Sequence, residues 1–179
     1  MGVSTTMSGA IVLFLMLFAS VAVIGSMFEK ITDLAEEIRS NNALALKMIY
    51  DHIVITNYTI NSRKWVGSNL MVNMTILVKN KGQDPIWDLN STDIYVTYLE
   101  NTTGNIRSIR LVYGVNWSIP AIILTENFTV PFTKHPLIDQ GETGVINLVF
   151  YAPINTTYPI RITFVSQYGS KASTWVPLG

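Results

Sequence analysis

Cysteine is absent from this 179-residue chain, which excludes disulfides, thiolate metal sites and thiol catalysis. A domain without bridges has to be held by its core alone. Charge is also scarce. Lys and Arg total 12, Asp and Glu total 12, and the formal net charge is zero. After Asp51, nine basic and seven acidic residues are mixed without runs of one sign, so a basic stripe for nucleic acid is missing. Histidine occurs twice, at His52 and His135, and neither has further ligands at metal-binding spacing, so both read as surface or turn residues. Asp84, Asp88 and Asp93 are spaced four and five apart, but Pro85 and Trp87 between them do not resemble a calcium-binding EF-hand loop. No Gly-rich phosphate loop, nucleophile elbow or carboxylate pair stands out. Neither catalysis nor a cofactor nor a metal is expected.

The absence with the widest consequence lies at the start. Met1 to Phe28 contains no Asp, Glu, Lys or Arg, and Ala10 to Phe28 is broken only by Ser20, Gly25 and Ser26. As a helix this apolar stretch spans roughly 28 Å at about 1.5 Å per residue, close to the hydrocarbon thickness of a bilayer. A helix satisfies its own backbone hydrogen bonds, so lipid can surround it. Residues 1–28 are therefore read as a transmembrane or filament-core helix. A cleaved secretory signal would have a basic n-region and a shorter apolar core, and neither is present. Beyond it, Ile31, Leu34, Ile38, Ala45 and Met48 recur at helical spacing among Glu29, Lys30, Asp33, Glu36 and Glu37, so residues 29–51 are read as an amphipathic helical extension. Asn41 and Asn42 interrupt the stripe, as register-fixing residues of a partner helix or as a solvated kink.

From His52 the period changes from helical to alternating. Val72, Met74, Ile76 and Val78 share one face of a strand over Leu70–Val78, with Asn73 and Thr75 on the other. Further strands are predicted at 52–60, 93–100, 106–113, 144–151, 159–165 and 172–176. Turns fall at Asn80-Lys81-Gly82, Asn101 to Gly104, Asp139-Gln140-Gly141 and Tyr168-Gly169-Ser170. This pattern predicts an immunoglobulin-like antiparallel β-sandwich over 52–179, giving a mainly β protein with one long N-terminal helix. Trp117 to Leu124 is the most apolar run outside the first helix. It reads as a buried strand that Pro120 puts at a sheet edge, or as a sticky edge for association through Trp117, Ile119, Ile122, Ile123 and Leu124.

Asparagine is unusually informative. Asn57, Asn73, Asn90, Asn101, Asn116, Asn127 and Asn155 each begin an Asn-X-Ser/Thr triplet, a roughly threefold excess over chance, and all follow the apolar helix. They are candidate N-glycosylation sites and favour an extracytoplasmic domain. Lys30, Arg39 and Lys47 after the helix point the other way, but long domains translocate largely regardless of charge.

Met1-Gly2-Val3-Ser4 running straight into an apolar helix, the amphipathic extension and the β-domain together resemble the membrane-anchored accessory proteins of the archaellum, the archaeal rotating filament. Within the domain, Ile76 to Gly82 is similar to the valine-rich strand and Lys-Asn-x-Gly turn of that family. Asp93 to Val96 and Gln140 to Thr143 sit where the family has its next strand and a later Gly-Glu turn. The short start is closer to the F than to the G component. The resemblance implies a stator: a helix in the cytoplasmic membrane and a β-sandwich in the pseudoperiplasm that binds the S-layer protein. Other archaellum components and a second copy in a homodimer are the further partners it implies, and nucleic acid is not one. The alternative is a type IV pilin-like or archaellin filament subunit, against which counts the lack of a basic residue before Gly2. A membrane-tethered sugar-binding module is a third class, and it would use Trp65, Trp87 or Trp175 to line a cleft.

Overall fold

The computed structural model describes residues 3–50, 52–125 and 128–179. Among the described residues, one helix, α1 (Val3–Tyr50), is followed by nine strands and a single 3-10 turn, Phe132–Lys134. The chain divides into two compact units, Met1–Ala45 and Leu46–Gly179.

The first unit is helical because nothing in it breaks a helix. Proline is absent, and the small polar residues turn their hydroxyls back onto the backbone: Ser20 donates to the Met16 carbonyl (2.8 Å), Ser26 to Val23 (2.9 Å) and Thr32 to Phe28 (2.9 Å). These bonds remove the polar atoms that interrupt the apolar run, leaving a surface lipid can accept. Between Ile11 and Ala43 the helix is long and apolar enough to cross a membrane, and all its side chains there are exposed.

The second unit is a sandwich of two antiparallel sheets. Sheet one has the order β1 (Ile53–Val66), β2 (Asn69–Asn80), β7 (Thr143–Ala152), β5 (Trp117–Thr125), β6 (Phe128–Pro131). Sheet two has the order β4 (Ile106–Leu111), β3 (Asp93–Leu99), β8 (Ile160–Val165), β9 (Lys171–Val176). Four hairpins join sequence neighbours, while β7 is inserted between β2 and β5, and β8 pairs with β3. This is the Greek-key arrangement of the immunoglobulin-like fold, with β5 and β6 where one edge strand usually stands.

Alternation drives the packing. Every second residue of β2 is buried, including Val72, Met74, Ile76 and Val78, and Asn73 and Thr75 face outward as expected. Ile146, Leu148 and Phe150 of β7 meet Ile94 and Val96 of β3 and Ile162 and Phe164 of β8 in one core. Ile86, Ile138, Ile154 and Leu178 come from outside the strands and complete it.

Besides shifts of one or two residues at strand ends, three features differ from the sequence reading. β1 continues to Val66, because Gly67 takes a φ of +63° and closes a two-residue turn that lets Val66 pair with Asn69. Residues 61–68 are all exposed, so no burial pattern marks this hairpin extension. β6 was not expected, since its four residues carry no alternation. Pro120 was expected at a sheet edge, but β5 lies between β7 and β6. It accommodates the proline at a register shift on the β7 side, between Ser118 and Ala121, beyond the last β6 pairing at Ala121.

Candidate functional site

Two turns far apart in sequence are locked together by Asn80. Its side chain is fully buried; Nδ2 donates to the carbonyls of Asp84 (2.9 Å) and Ile138 (3.0 Å), and Oδ1 accepts from Gly82 N–H (2.9 Å). Its backbone donates to Glu142 (2.9 Å) and accepts from Gly141 (2.7 Å). Gly141 reaches that position at a φ of +84°. The Lys-Asn-Lys-Gly and Gln-Gly-Glu-Thr segments are thus neighbours in space, a relation their separation in sequence hides. Glu142 also holds His135 (2.9 Å) and caps the Asp139 N–H (2.8 Å), so His135 is a half-buried turn residue. His52 is exposed.

The three aspartates do not converge. Asp88 accepts from the N–H groups of Asn90 (3.2 Å) and Ser91 (3.3 Å), and its hydrogen bond with the Ser91 side chain pulls its pKa below the usual carboxylate range. Asp93 instead pairs with Arg110 (2.6 Å) and accepts from Tyr95 Oη (3.0 Å), which raises the Tyr95 pKa. Among the described residues no group of three His, Asp or Glu side chains could hold a metal.

Six of the seven sequons are described; Asn127 lies outside the described residues. Asn57, Asn90 and Asn101 are exposed, and Asn73, Asn116 and Asn155 are half-buried. Where a sequon side chain is bonded, Oδ1 accepts: from Tyr58 at Asn57, Asn61 at Asn73, Val112 at Asn116 and Thr157 at Asn155. The Nδ2 atoms, where a glycan would attach, make no bond to a protein acceptor among these residues. Asn57 and Asn73 lie on sheet one, and the other described sequons lie in loops.

The apolar run of β5 is divided between core and surface. Trp117, Ile119 and Ile122 are buried, with the Trp117 Nε1–H donating to the Leu111 carbonyl (3.2 Å) and its ring against Tyr113 and Phe164. Ile123 and Leu124 are half-buried.

The outer face of sheet two carries the most developed surface feature. The strand register sets Ser108, Thr97, Arg161 and Trp175 in one row across all four strands, with Leu99 and Ile106 paired in the next. An open groove of about 700 Å³ runs over Thr97, Leu99, Ile106, Arg161, Trp175 and Tyr158. Trp175 and Ile106 are 60% and 76% exposed, a large apolar area for positions that alternation turns to solvent. The Arg161 guanidinium lies 5.8 Å from the Trp175 ring centroid. Of the tryptophans singled out in the sequence, Trp175 lines this groove, whereas Trp65 is on the β1–β2 hairpin and Trp87 in the β2–β3 loop, both exposed. Arg161, Ile106 and Tyr158 were not singled out. The available signal was the apolar residue at outward-facing Leu99 and Trp175, but only the register joins them to Ile106.

A family model described as archaeal-type flagellin matches residues 2–176. The archaellum periplasmic stator complex of FlaF and FlaG from Sulfolobus acidocaldarius is similar at 16% identity, over 69% of this chain and 86% of that one, with a TM-score of 0.43. FlaG alone from the same organism is similar at 14% identity, over 70% and 98% of the two chains, with a TM-score of 0.39. A β-sandwich protein from Clostridium difficile 630 matches at 14% identity, over 70% and 80%, with a TM-score of 0.29. No match was found among the curated proteins.

Proposed function

This chain belongs to the archaeal-type flagellin family, and from that premise we propose that it is the membrane-anchored stator of the archaellum. In this reading α1 sits in the cytoplasmic membrane, the sandwich lies in the pseudoperiplasm, and the sandwich binds the S-layer so that the motor has a fixed point to work against. The observation that carries the reading is the change of surface within α1. Side chains from Ile11 to Phe28 are uncharged and exposed, and Glu29, Lys30, Asp33, Glu36, Glu37 and Arg39 follow on the same helix. Such a helix has a defined end to its lipid-compatible stretch. The sandwich adds a single hydrophobic core shared by its two sheets, which suits a part that bears load. Sequons with free Nδ2 atoms support an extracytoplasmic location.

The family model itself favours a second reading, a filament subunit whose α1 packs in the filament core. One experiment separates the two. Vesicles carrying the full chain are mixed with S-layer sheets from the same cells and sedimented, and sheared filaments are analysed by mass spectrometry. The stator reading expects co-sedimentation and absence from the shaft. No co-sedimentation, with abundant processed chain in the shaft, would overturn it in favour of the filament subunit.

A further inference from the structure

The groove on sheet two and the β2–β3 loop are at opposite ends of the same sheet. The groove lies toward Leu99, Ile106 and Tyr158, while the loop enters β3 at Asp93 and rests on the β8–β9 turn. That loop is held stiffly: Gln167 Oε1 accepts from the N–H of both Trp87 (3.2 Å) and Asp88, Gln167 Nε2 donates to the Pro85 carbonyl (3.4 Å), and the buried Asn80 amide fixes Asp84. Yet Trp87, in the middle of this pinned segment, is 60% exposed. A rigid, exposed tryptophan loses little conformational freedom on binding and is the kind of residue that dominates an interface. The charges at the two ends are complementary. The Asp84 carboxylate has no donor among the described residues, and Arg161 in the groove has Trp175 beside it but no acidic partner among them.

We propose that the groove over Trp175, Ile106 and Arg161 receives the Trp87 loop of a second copy of this chain, with Asp84 facing Arg161. Because the two surfaces are different patches at opposite ends of the sandwich, the contact is heterologous, and repeating it builds an open row of copies rather than a closed pair. This goes beyond the proposed role and holds for a stator or a filament subunit alike.

The absence of cysteine makes the contact directly testable. Full-length chains are prepared in detergent micelles from a host that attaches no N-glycan, because Asn90, Asn101 and Asn155 flank the two surfaces. One variant carries Ile106→Cys in the groove and another carries Gln83→Cys beside the loop. Oxidation of the mixture is expected to give an 83–106 disulfide dimer, and a chain carrying both changes is expected to give a ladder of multimers. Removing the anchor with Trp87→Ala, or reversing the charge with Arg161→Glu, is expected to lower the cross-linked yield by about tenfold. Adding Asp84→Lys to Arg161→Glu should restore most of it. Dimers of the Ile106→Cys chain alone would show a groove-to-groove contact and overturn the proposal. So would the absence of mixed cross-links, or a yield that ignores Trp87, since both variants alter exposed side chains and leave the core intact.

Discussion

Asn80 shows how much one side chain can hold. Its amide uses both donors and its acceptor on three backbone groups belonging to two loops, inside a site closed to water. Asn80→Ala leaves the buried Gly82 N–H and the Asp84 carbonyl without their side-chain partners and the Ile138 carbonyl with the Ile86 N–H alone, and a loss of about 2–3 kcal/mol is expected in thermal unfolding followed by near-ultraviolet circular dichroism. Asp88 gives a pH-dependent counterpart. The hydrogen bond with the Ser91 side chain, and those from backbone N–H groups, lower its pKa below the usual value. A depressed carboxylate stabilises the fold above its unfolded pKa, and that stability is lost as pH falls through the lower folded value. Titration of the Asp88 carboxyl carbon by NMR should therefore give a midpoint below the ordinary Asp value of about 3.9, and Ser91→Ala should move it back up. An unshifted midpoint would mean the loop is looser than its hydrogen bonds suggest.

Individual elements separate residues that look alike in the sequence. Trp117 and Trp87 are both tryptophans beside a proline-containing segment, but Trp117 is 2% exposed and bonded through its indole, whereas Trp87 faces solvent. Trp117→Ala is expected to destabilise the sandwich by about 3–5 kcal/mol, because it empties a core site. Trp87→Ala is expected to change stability by less than about 0.5 kcal/mol. Denaturant titrations of the two variants side by side test the contrast. For α1, the apolar stretch is long enough to span a bilayer only while it stays uncharged. If α1 is the membrane anchor proposed above, Val21→Arg near its centre costs about 2.5–3.5 kcal/mol of insertion free energy, and the chain should move from the membrane to the soluble or aggregated fraction on flotation.

At the scale of the whole molecule, the proposed stator role requires the sandwich to lie on the outer side of the membrane. The six described sequons all lie in the unit that follows Leu46, on sheet one or in loops. Protease added to intact cells stripped of their wall is expected to degrade the sandwich and leave a membrane-embedded α1 fragment. Full protection would place the sandwich in the cytoplasm and overturn the proposed wall-binding role.

Much of this protein is local physics and could be read from the chain. An uncharged apolar run, the absence of proline through Tyr50, and alternation at Val72, Met74, Ile76 and Val78 each depend on residues a few positions apart, and their energies add along the sequence. The helix, the inward face of β2 and the sandwich class follow from them. What the tertiary structure decided depends on strand register. Only pairing brings Asn80 to Ile138, places β5 between β7 and β6, and sets Leu99, Ile106, Arg161 and Trp175 around one groove. Many partner strands satisfy the same alternation equally well, because a period of two says which face a residue takes and nothing about its neighbour across the sheet. The choice among them is made by the whole core at once.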